Sequence, residues 1–360
     1  MRLLSLNIEN FRNIVSATIS FSGDRIFLLG PNGQGKTNLL EAIGMAGTLR
    51  SFRKSGMEGL VREGEPLSQN FYRFLDDDGN EQEVFLSFRS KGEKKLEVNG
   101  TRIKKLGEHL GSFPMVTLSS RDFRLIREGP ADRRKWLDLL LSSSSLEYFN
   151  SLQGYHRSLR ERNALLKHEA SDGELLAFEQ ALAQTAVALY SMRAQSIPKI
   201  SKTLAKSYFS LTDEQEVADI EYNPDLPINS VDEYLNKLFD ERYRDQMVGS
   251  TRKGPHRDDF FFKLNNKDAR TYASEGQQRG LVLALRLAEF SYLRDGLGRI
   301  PILLADDILG ELDQLRKSNF RKLLPPEAQV FATGTAYPSE NESAIWESFK
   351  VSSGKFSPPG

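Results

Sequence analysis

Apolar and polar residues alternate in the first part of the chain, at residues 4–8 and again at 19–21. A period of two is typical of β-strands that bury one face in a sheet, so we predict strands in both places. A short apolar run at 26–29 predicts a further strand, which ends where the chain becomes rich in glycine.

Short alternating runs return between residues 50 and 118. They are separated by the sequences Asp-Asp-Asp-Gly-Asn at 76–80 and Asn-Gly at 99–100, which are typical of hairpin turns. We therefore predict an antiparallel sheet beside the rest of the fold. The three aspartates at 76–78 are expected to form a solvated turn rather than a metal site.

The middle of the chain has helical periodicity. Between residues 174 and 197, apolar side chains recur at spacings of three and four, which predicts a helix of a compact lobe. The apolar positions of this seam are Leu175, Phe178, Leu182, Leu189 and Met192, and Thr185 is its one polar position. Pro198 is expected to end the helix. Its partner helices are predicted within 131–168, with a break at the serines of 142–145.

A glycine-rich sequence carries the strongest chemical signal. It comprises Gly30, Pro31, Asn32, Gly33, Gln34, Gly35, Lys36 and Thr37, the pattern G-x-x-x-x-G-K-T. Glycines allow backbone N–H groups to surround phosphate oxygens, and a helix after the loop adds the positive end of its dipole. We predict a nucleotide site in which Lys36 reaches the β- and γ-phosphates and Thr37 is a ligand of Mg²⁺.

A second apolar run, at 300–305, ends in Asp306 and Asp307. Carboxylates at the end of a strand suit a phosphate-loop site: Asp306 is predicted to hold Mg²⁺, and Asp307 to orient or deprotonate the attacking water. The alternative is a buried strand followed by a helix cap, since aspartate is a good N-cap residue. Because a phosphate loop is present in the same chain, we favour a catalytic set of Lys36, Asp306 and Asp307.

A polar sequence at 274–279 precedes a long apolar helix. In one interpretation it is a helix cap, with Ser274 at the N-cap and Gln277 three residues later. In the other, Ser274, Gly276 and Gln277 form an S-x-G-Q signature similar to that of ABC-type ATPases, which closes on the γ-phosphate held by the opposite subunit. The order of phosphate loop, signature and acidic strand along the chain agrees with the second interpretation.

The charge balance limits how the chain can attract nucleic acid. Its 49 Lys and Arg residues balance 49 Asp and Glu residues, so any contact with nucleic acid must come from local patches. The chain has no cysteine, which excludes disulfides, iron–sulfur clusters and cysteine nucleophiles. No apolar run approaches the ~18 residues of a membrane-spanning helix, so we expect a cytoplasmic protein without a membrane partner.

One basic patch lies within residues 121–135. It comprises Arg121, Arg124, Arg127, Arg133, Arg134 and Lys135. Smaller basic groups lie at 157–167 and at 50–54. Contacts between such residues and phosphates would be sensitive to salt and independent of sequence. A solvated face or a set of internal salt bridges is the alternative for each group.

Together these motifs resemble the RecF family of bacterial recombinational repair proteins. The resemblance rests on NFRN at 10–13, the phosphate loop at 30–37, DRRKWLD at 132–138, GPHRDD at 254–259, TYASEGQQR at 271–279 and the DD and ELD sequences within 306–313. It covers nearly the whole chain. The fold class that it implies is α/β, a P-loop ABC-type ATPase head with an antiparallel β subdomain and an inserted helical lobe.

The resemblance also implies the order of the domains. The expected segments are the N-terminal half of the head with its β subdomain at 1–120, the lobe at 121–245, the C-terminal half of the head at 246–350 and a flexible tail at 351–360. Arg12, Asp313 and Thr333 are further residues implied at the nucleotide. Arg12 either contacts the nucleotide or lies in an ordinary surface turn, and Thr333 takes the place of the switch residue of transporter ATPases.

The function implied by the resemblance is ATP-dependent DNA binding in recombinational repair and replication-fork maintenance. ATP and Mg²⁺ would be the cofactors. The chain would bind double-stranded DNA, gapped DNA and single-strand/double-strand junctions as an ATP-induced homodimer with slow ATP hydrolysis. It would act at the nucleoid with RecR and RecO to load RecA and to support the SOS response.

Two alternatives stay open for the function. One is a DNA clamp that binds ATP without significant hydrolysis, and the other is a different SMC-like ATPase. An ATPase–nuclease of the overcoming-lysogenisation type is not expected, because it would need an acidic nuclease domain after Asp313.

Overall fold

The described part of the computed structural model forms two units. It covers residues 1–53, 56–90, 92–168, 170–212, 216–308, 314–336 and 346–358. The first unit, here called the head unit, comprises Met1–Phe123, Ser210–Asp213 and Val282–Gly360. The second, here called the lobe unit, comprises Arg124–Phe209 and Glu214–Leu281.

Strands and helices occur throughout the described segments. The strands are β1 (Arg2–Phe11), β2 (Ile14–Ser20), β3 (Arg25–Leu29), β4 (Leu67–Leu75), β5 (Glu81–Arg89), β6 (Lys94–Val98), β7 (Thr101–Arg102), β8 (Met115–Ser119), β9 (Ala218–Asn223), β10 (Asp259–Leu264), β11 (Lys267–Asp268), β12 (Ile302–Asp306), β13 (Val330–Gly334), β14 (Glu347–Ser352) and β15 (Lys355–Ser357). The helices are α1 (Lys36–Thr48), α2 (Arg124–Arg127), α3 (Pro130–Ser144), α4 (Leu146–Leu165), α5 (Asp172–Thr212), α6 (Val231–Val248), α7 (Ala269–Tyr272), α8 (Glu275–Leu297) and α9 (Gln314–Leu323). Across these described segments, no helix has both the length and the hydrophobicity to cross a membrane.

The head unit contains a mainly parallel sheet that brings distant parts of the chain together. Its strand order is β15-β14-β3-β13-β12-β8, and only the pairing of β14 with β15 is antiparallel. Because parallel strands end at the same edge of a sheet, the ends of β3, β12 and β13 meet there. The phosphate loop therefore lies beside the end of β12, although more than half of the chain separates them in sequence.

The second sheet of the head unit is antiparallel, as the alternating pattern predicted. Its strand order is β2-β1-β4-β5-β6-β7. The predicted turns at 76–80 and 99–100 join β4 to β5 and β6 to β7. Asn99 and Gly100 both have positive φ, which matches the twist of a tight hairpin. The sheet also includes β1 and β2, which the sequence pattern had not assigned to it.

Helix α1 lies in the core between the two sheets of the head unit. Its buried side chains, such as Leu39 and Ile43, belong to one apolar cluster that includes Leu6 of β1 and Leu304 of β12. The hydroxyl of Tyr72 on β4 donates a hydrogen bond to the carbonyl oxygen of Ala42, 2.7 Å away. The helix that follows the phosphate loop is thus fixed on both sides.

Helices α3, α4 and α5 carry the predicted lobe. The break predicted at the four serines is present: Ser145 separates α3 from α4, and its side chain accepts a hydrogen bond from the N–H of Tyr148. The prediction that Pro198 ends the next helix is wrong, because α5, which is 41 residues long, continues through it to Thr212. Proline removes one hydrogen bond, and the buried side chains of Ile197 and Ile200 on either side hold the helix together.

A small sheet extends the lobe unit past residue 245, the end predicted from the sequence. Its strand order is β11-β10-β9, and β9 pairs with β10 over six residues. This pairing ties residues 259–264 to residues 218–223, so the chain that follows α6 belongs with the lobe as far as Leu281.

A buried polar network accounts for the GPHRDD sequence. Arg193 on α5 donates to Asp258 at 2.7 Å, to Asp138 at 2.7 Å and to the carbonyl oxygen of Pro255 at 2.8 Å. The Nδ1 atom of His256 lies 2.6 Å from the hydroxyl of Tyr155, and burial lowers the pKa of His256 to about 4. His256 is therefore neutral at pH 7 and serves as an internal hydrogen-bonding group.

Candidate nucleotide-binding site

The phosphate loop joins β3 to α1, as its sequence predicted. Residues 30–35 form the turn, and α1 begins at Lys36. Gly33 and Gly35 have φ values of +78° and +114°, a region that residues with a Cβ atom rarely adopt. Gly33 and Gly35 are thus required by the shape of the loop, and the N-terminus of α1 points to the place where an anion would bind.

Lys36 folds back over the loop. Its side chain is buried, and its Nζ atom donates to the carbonyl oxygens of Gly30 at 2.5 Å and Pro31 at 3.0 Å. Burial lowers the pKa of Lys36, and the charges of Asp307 and Asp306 oppose that shift. Phosphate oxygens in the loop would offer the ammonium group charged acceptors in place of neutral carbonyls.

Thr37 and Asp306 are brought into direct contact. The Thr37 hydroxyl donates to Asp306 Oδ1 at 2.8 Å, and the Thr333 hydroxyl donates to the same oxygen at 3.1 Å. Burial raises the pKa of Asp306, while these two hydrogen bonds oppose the shift. In the described residues no group of three or more His, Cys, Asp or Glu side chains could hold a metal ion. A hydroxyl and one carboxylate nevertheless suit Mg²⁺, which takes its other ligands from phosphates and water.

Asp307 has an unusual backbone conformation. Its φ is +55°, its side chain is exposed, and its N–H donates to Thr333 Oγ1 at 2.8 Å. Backbone strain of this kind is often stored at functional sites, and here it turns the Asp307 side chain away from the core. The Thr333 hydroxyl thus contacts both aspartates and bridges Asp306 and Asp307.

Arg12 forms an ion pair next to the site. Its guanidinium donates two hydrogen bonds of 2.8 Å to the fully buried carboxylate of Glu41 on α1, and a third of 2.6 Å to the carbonyl oxygen of Gly59. The backbone of Arg12 also has positive φ. The guanidinium of Arg12 is thus paired with Glu41, and this ion pair connects the turn at 10–13 to α1, the helix that follows the phosphate loop.

Three residues that the sequence did not assign to the site form a chain of hydrogen bonds beside the loop. Arg53 Nη1 donates to Asn38 Oδ1 at 2.8 Å, Asn38 donates to Asn13 Oδ1 at 2.7 Å, and Asn13 donates to the carbonyl oxygen of Gln34 at 3.3 Å. The sequence indicated Arg53 only as part of a basic group. No spacing rule links positions 13, 38 and 53, so only the fold brings them together.

The C-terminal hairpin supports the phosphate loop from the side. The N–H of Ser353 donates to Gln34 Oε1 and the N–H of Gly354 to the carbonyl oxygen of Gln34, both at 2.8 Å. The prediction of a flexible tail at 351–360 is therefore wrong for residues 351–357. Their polar composition resembles a frayed end, but β14 pairs with β3 and β15 closes a hairpin on it.

Replacing Gly354 by alanine is expected to weaken ATP binding about tenfold, or roughly 1.4 kcal/mol. A Cβ atom on Gly354 would lie 2.7 Å from the carbonyl oxygen of Asn13, so the hairpin would have to move away from Gln34. Titration with a fluorescent ATP analogue measures the affinity. Gly100→Ala is a matched control, because its φ of +74° is close to the +75° of Gly354 and no atom lies within 4 Å of its Cβ position. Equal affinities in the two variants would contradict support of the loop by the hairpin.

Ser274 and Gln277 form a reciprocal helix cap in the lobe unit. The N–H of Ser274 donates to Gln277 Oε1 at 2.7 Å, and the N–H of Gln277 donates to Ser274 Oγ at 3.2 Å. Gln277 Nε2 also donates to Glu216 at 2.5 Å. Gly276 lies in the first turn of α8, and Ser274 is exposed. The cap is thus present, while the signature interpretation of these residues stays a prediction.

The basic patch of 121–135 divides into exposed and internal residues. Arg133 is buried and forms a bidentate ion pair with Asp259 at 2.8 and 2.9 Å. Arg134 donates to the carbonyl oxygen of Asp258 at 2.7 Å. The exposed members are Arg121 in the head unit and Arg124, Arg127 and Lys135 in the lobe unit. Asp313, predicted at the nucleotide, lies outside the described residues.

The parallel sheet, the phosphate loop and the acidic end of β12 define an ABC-type ATPase head with an antiparallel sheet and a helical insert. Residues 2–342 match the family model of the RecF/RecN/SMC N-terminal domain. The chain belongs to the RecF family. It is 34% identical to the DNA replication and repair protein RecF of Rippkaea orientalis, over 99% of this chain and 100% of that protein. It is also 34% identical to the RecF of Acaryochloris marina, over 93% of each chain.

Solved structures agree with this assignment. The chain superposes on the recombination mediator protein RecF-ATP of the RecFOR pathway with a TM-score of 0.91 and 32% identity, over 100% of this chain and 98% of that one. The Smc head domain of Pyrococcus furiosus matches with a TM-score of 0.58 and 14% identity, over 99% and 95% of the two chains. The second match shows a shared fold only.

Proposed function

We propose that this chain is an ATP-dependent DNA-binding protein of recombinational repair and replication-fork maintenance. It binds double-stranded DNA and single-strand/double-strand junctions as an ATP-induced homodimer and hydrolyses ATP slowly. The observation that carries the proposal is the contact of Thr37 with Asp306 at the mouth of a complete phosphate loop. The relative solved as RecF-ATP gives further support, because it was solved with that nucleotide and resembles this chain over its full length.

In this proposal the head unit holds ATP through its own side chains. The loop at 30–37 surrounds the phosphates, and Lys36 contacts the β- and γ-phosphates. Thr37 and Asp306 hold Mg²⁺, which neutralises charge on the phosphates when bound. Asp307 orients or deprotonates the attacking water, a role that its exposed carboxylate supports.

Closure of the dimer depends on the lobe unit of a second copy. Ser274, Gly276 and Gln277 of that copy contact the γ-phosphate, so the dimer forms only when ATP is present. Hydrolysis removes the γ-phosphate and releases the dimer from DNA. Ser274 is exposed and lies directly before α8, which supports this role, since the first turn of a helix is a favourable place for a phosphate group.

The DNA and protein partners follow from the family. Arg121, Arg124, Arg127 and Lys135 are the exposed basic residues proposed to contact phosphates of DNA, whereas Arg133 is left out because Asp259 occupies its guanidinium. We propose RecR as the direct protein partner, acting with RecO to load RecA onto gapped DNA and to support the SOS response. This work takes place in the cytoplasm, at the nucleoid.

Light scattering with and without ATP and Mg²⁺ tests the proposal. We expect the wild type to double in mass only when ATP and Mg²⁺ are present. Lys36→Met is expected to stay a monomer, because the loop loses the ammonium group that contacts the phosphates. Lys350→Met, which removes an exposed lysine of β14, is the matched control and is expected to dimerise. Binding of ATP without a change of mass in the wild type would reject the ATP-induced dimer.

A further inference from the structure

The second half of α5 has an unusual charge composition. Between Glu179 and Asp213 the sequence contains no acidic residue, although Asp and Glu make up 49 of the 360 residues of the chain. The basic residues of this stretch are Arg193, Lys199, Lys202 and Lys206. Arg193 is buried in the polar network described above, so the three lysines carry the charge of the helix surface.

The three lysines share one face of the helix. Lys199, Lys202 and Lys206 are spaced by three and four residues, and all of them are exposed. Within the described part of the chain, none of them forms an ion pair. Phe209, three residues further along the same face, is 56% exposed. We call this set the lysine face of α5.

Two acidic residues that follow α5 in the sequence contact the buried side of the helix. Tyr208, which is buried, donates to Glu216 at 3.0 Å, and the Ser201 hydroxyl contacts Asp219 of β9. These hydrogen bonds hold both carboxylates against the buried side of α5. The positive potential of the lysine face is therefore not cancelled by the strand packed behind it.

We propose that the lysine face of α5 contacts the phosphate backbone of double-stranded DNA. The proposal rests on the proposed function, to which it adds a DNA-contact surface in the lobe unit. The face is about 10 Å long from Lys199 to Lys206, and duplex DNA presents about six charges over that distance. Lysine is a flexible point charge that binds phosphates without reading base edges, so we expect the contact to be independent of sequence.

The composition of the face favours DNA over an acidic protein. Protein interfaces usually have an apolar centre, with lysine depleted there. Among the described residues 199–209, Phe209 is the only large apolar residue with an exposed side chain. It lies at the end of the row of lysines rather than at its centre. A row of charges without an apolar centre is suited to a charged polymer.

The test compares two double variants of the full chain. Lys202→Gln/Lys206→Gln removes two charges from the face, and Lys104→Gln/Lys105→Gln removes two exposed lysines of the head unit as a matched control. Fluorescence anisotropy measures binding to two labelled 30-base-pair duplexes of unrelated sequence, with ATP and Mg²⁺, at several salt concentrations. We expect the first variant to bind both duplexes about 10- to 100-fold more weakly at 0.1 M salt. The slope of log affinity against log salt should be lower by about 1.8.

The outcomes separate this inference from the proposed function. If the wild type binds and the face variant keeps its affinity and slope, the lysine face does not contact DNA, and the proposed function stands. An equal loss in the control variant also rejects the inference, because the effect would then be one of total charge. If the wild type binds no duplex with ATP, both fail. Circular dichroism and ATP-dependent dimerisation check that the face variant is folded.

Discussion

Replacing Arg193 by methionine is expected to lower the free energy of unfolding of the lobe unit by about 3–5 kcal/mol. The guanidinium donates to Asp138 and Asp258, and it also contacts the hydroxyl of Tyr148 at 3.0 Å. The side chains of Arg193 and Asp258 are each 2% exposed, so the variant would leave a buried carboxylate without its counter-charge. Methionine fills most of the space of the arginine side chain. The loss of free energy of unfolding can therefore be attributed to the missing charge rather than to a cavity.

The two tryptophans allow the lobe unit to be observed separately. Trp136 lies in the lobe unit and Trp346 in the head unit, so a Trp346→Phe background leaves only the fluorescence of Trp136. Urea unfolding is then compared between this background, Arg193→Met and Arg244→Met. Arg244 is 67% exposed, and its partner Glu241 also pairs with Lys237 and Arg252, so the loss of Arg244 should cost at most about 1 kcal/mol. A cost below that level for Arg193→Met would mean that the network does not stabilise the lobe.

Replacing Asp307 by asparagine is expected to slow ATP hydrolysis about 10²- to 10⁴-fold while ATP binding is retained. An amide cannot accept the proton of the attacking water. Asparagine is nearly the same size and tolerates positive φ well, so the backbone at +55° should be undisturbed. Without hydrolysis the ATP-bound dimer should accumulate, and light scattering should show twice the monomer mass for longer than in the wild type.

Single-turnover hydrolysis of radiolabelled ATP measures the chemical step. Asp78→Asn, in the exposed turn between β4 and β5, is the matched control and should hydrolyse ATP at the wild-type rate. Equal rates in the wild type and Asp307→Asn would remove Asp307 from the reaction. If the wild type itself hydrolyses no more ATP than Lys36→Met, the chain is an ATP-binding clamp without turnover, the alternative that the sequence left open.

The sequence predicted those parts of the site whose signals are local. The phosphate loop is eight consecutive residues between a strand and a helix, and Asp306 ends an apolar run, so spacing alone indicated both. The contact of Gly354 with Gln34 has no such signal, because it joins the two ends of the chain through the pairing of β14 with β3. Short sequence patterns predict the structure of the segment in which they lie. Contacts between distant segments depend on the order of the strands in the sheet, which these patterns do not give.

The two wrong predictions have a common physical cause. Pro198 and the residues 351–357 both have local preferences against regular structure, and in both cases packing decides. Around Pro198 the buried residues of α5 outweigh one missing hydrogen bond, and strand pairing with β3 orders the C-terminal hairpin. For Arg133 the sequence left two alternatives, contact with DNA or an internal salt bridge, and the fold forms the salt bridge because Asp259 lies beside it.

The order of strands in the parallel sheet has a consequence for synthesis of the protein on the ribosome. β3 pairs with β13 and β14, which are translated about 300 residues later. At about 5–20 residues per second, β3 and its loop would wait roughly 15–60 s for both neighbours. The antiparallel sheet, in contrast, has all its strands by residue 102 and can fold early. The nucleotide site is therefore among the last parts of the newborn chain to form, since a chain that has been translated only as far as residue 329 lacks both strands that flank β3.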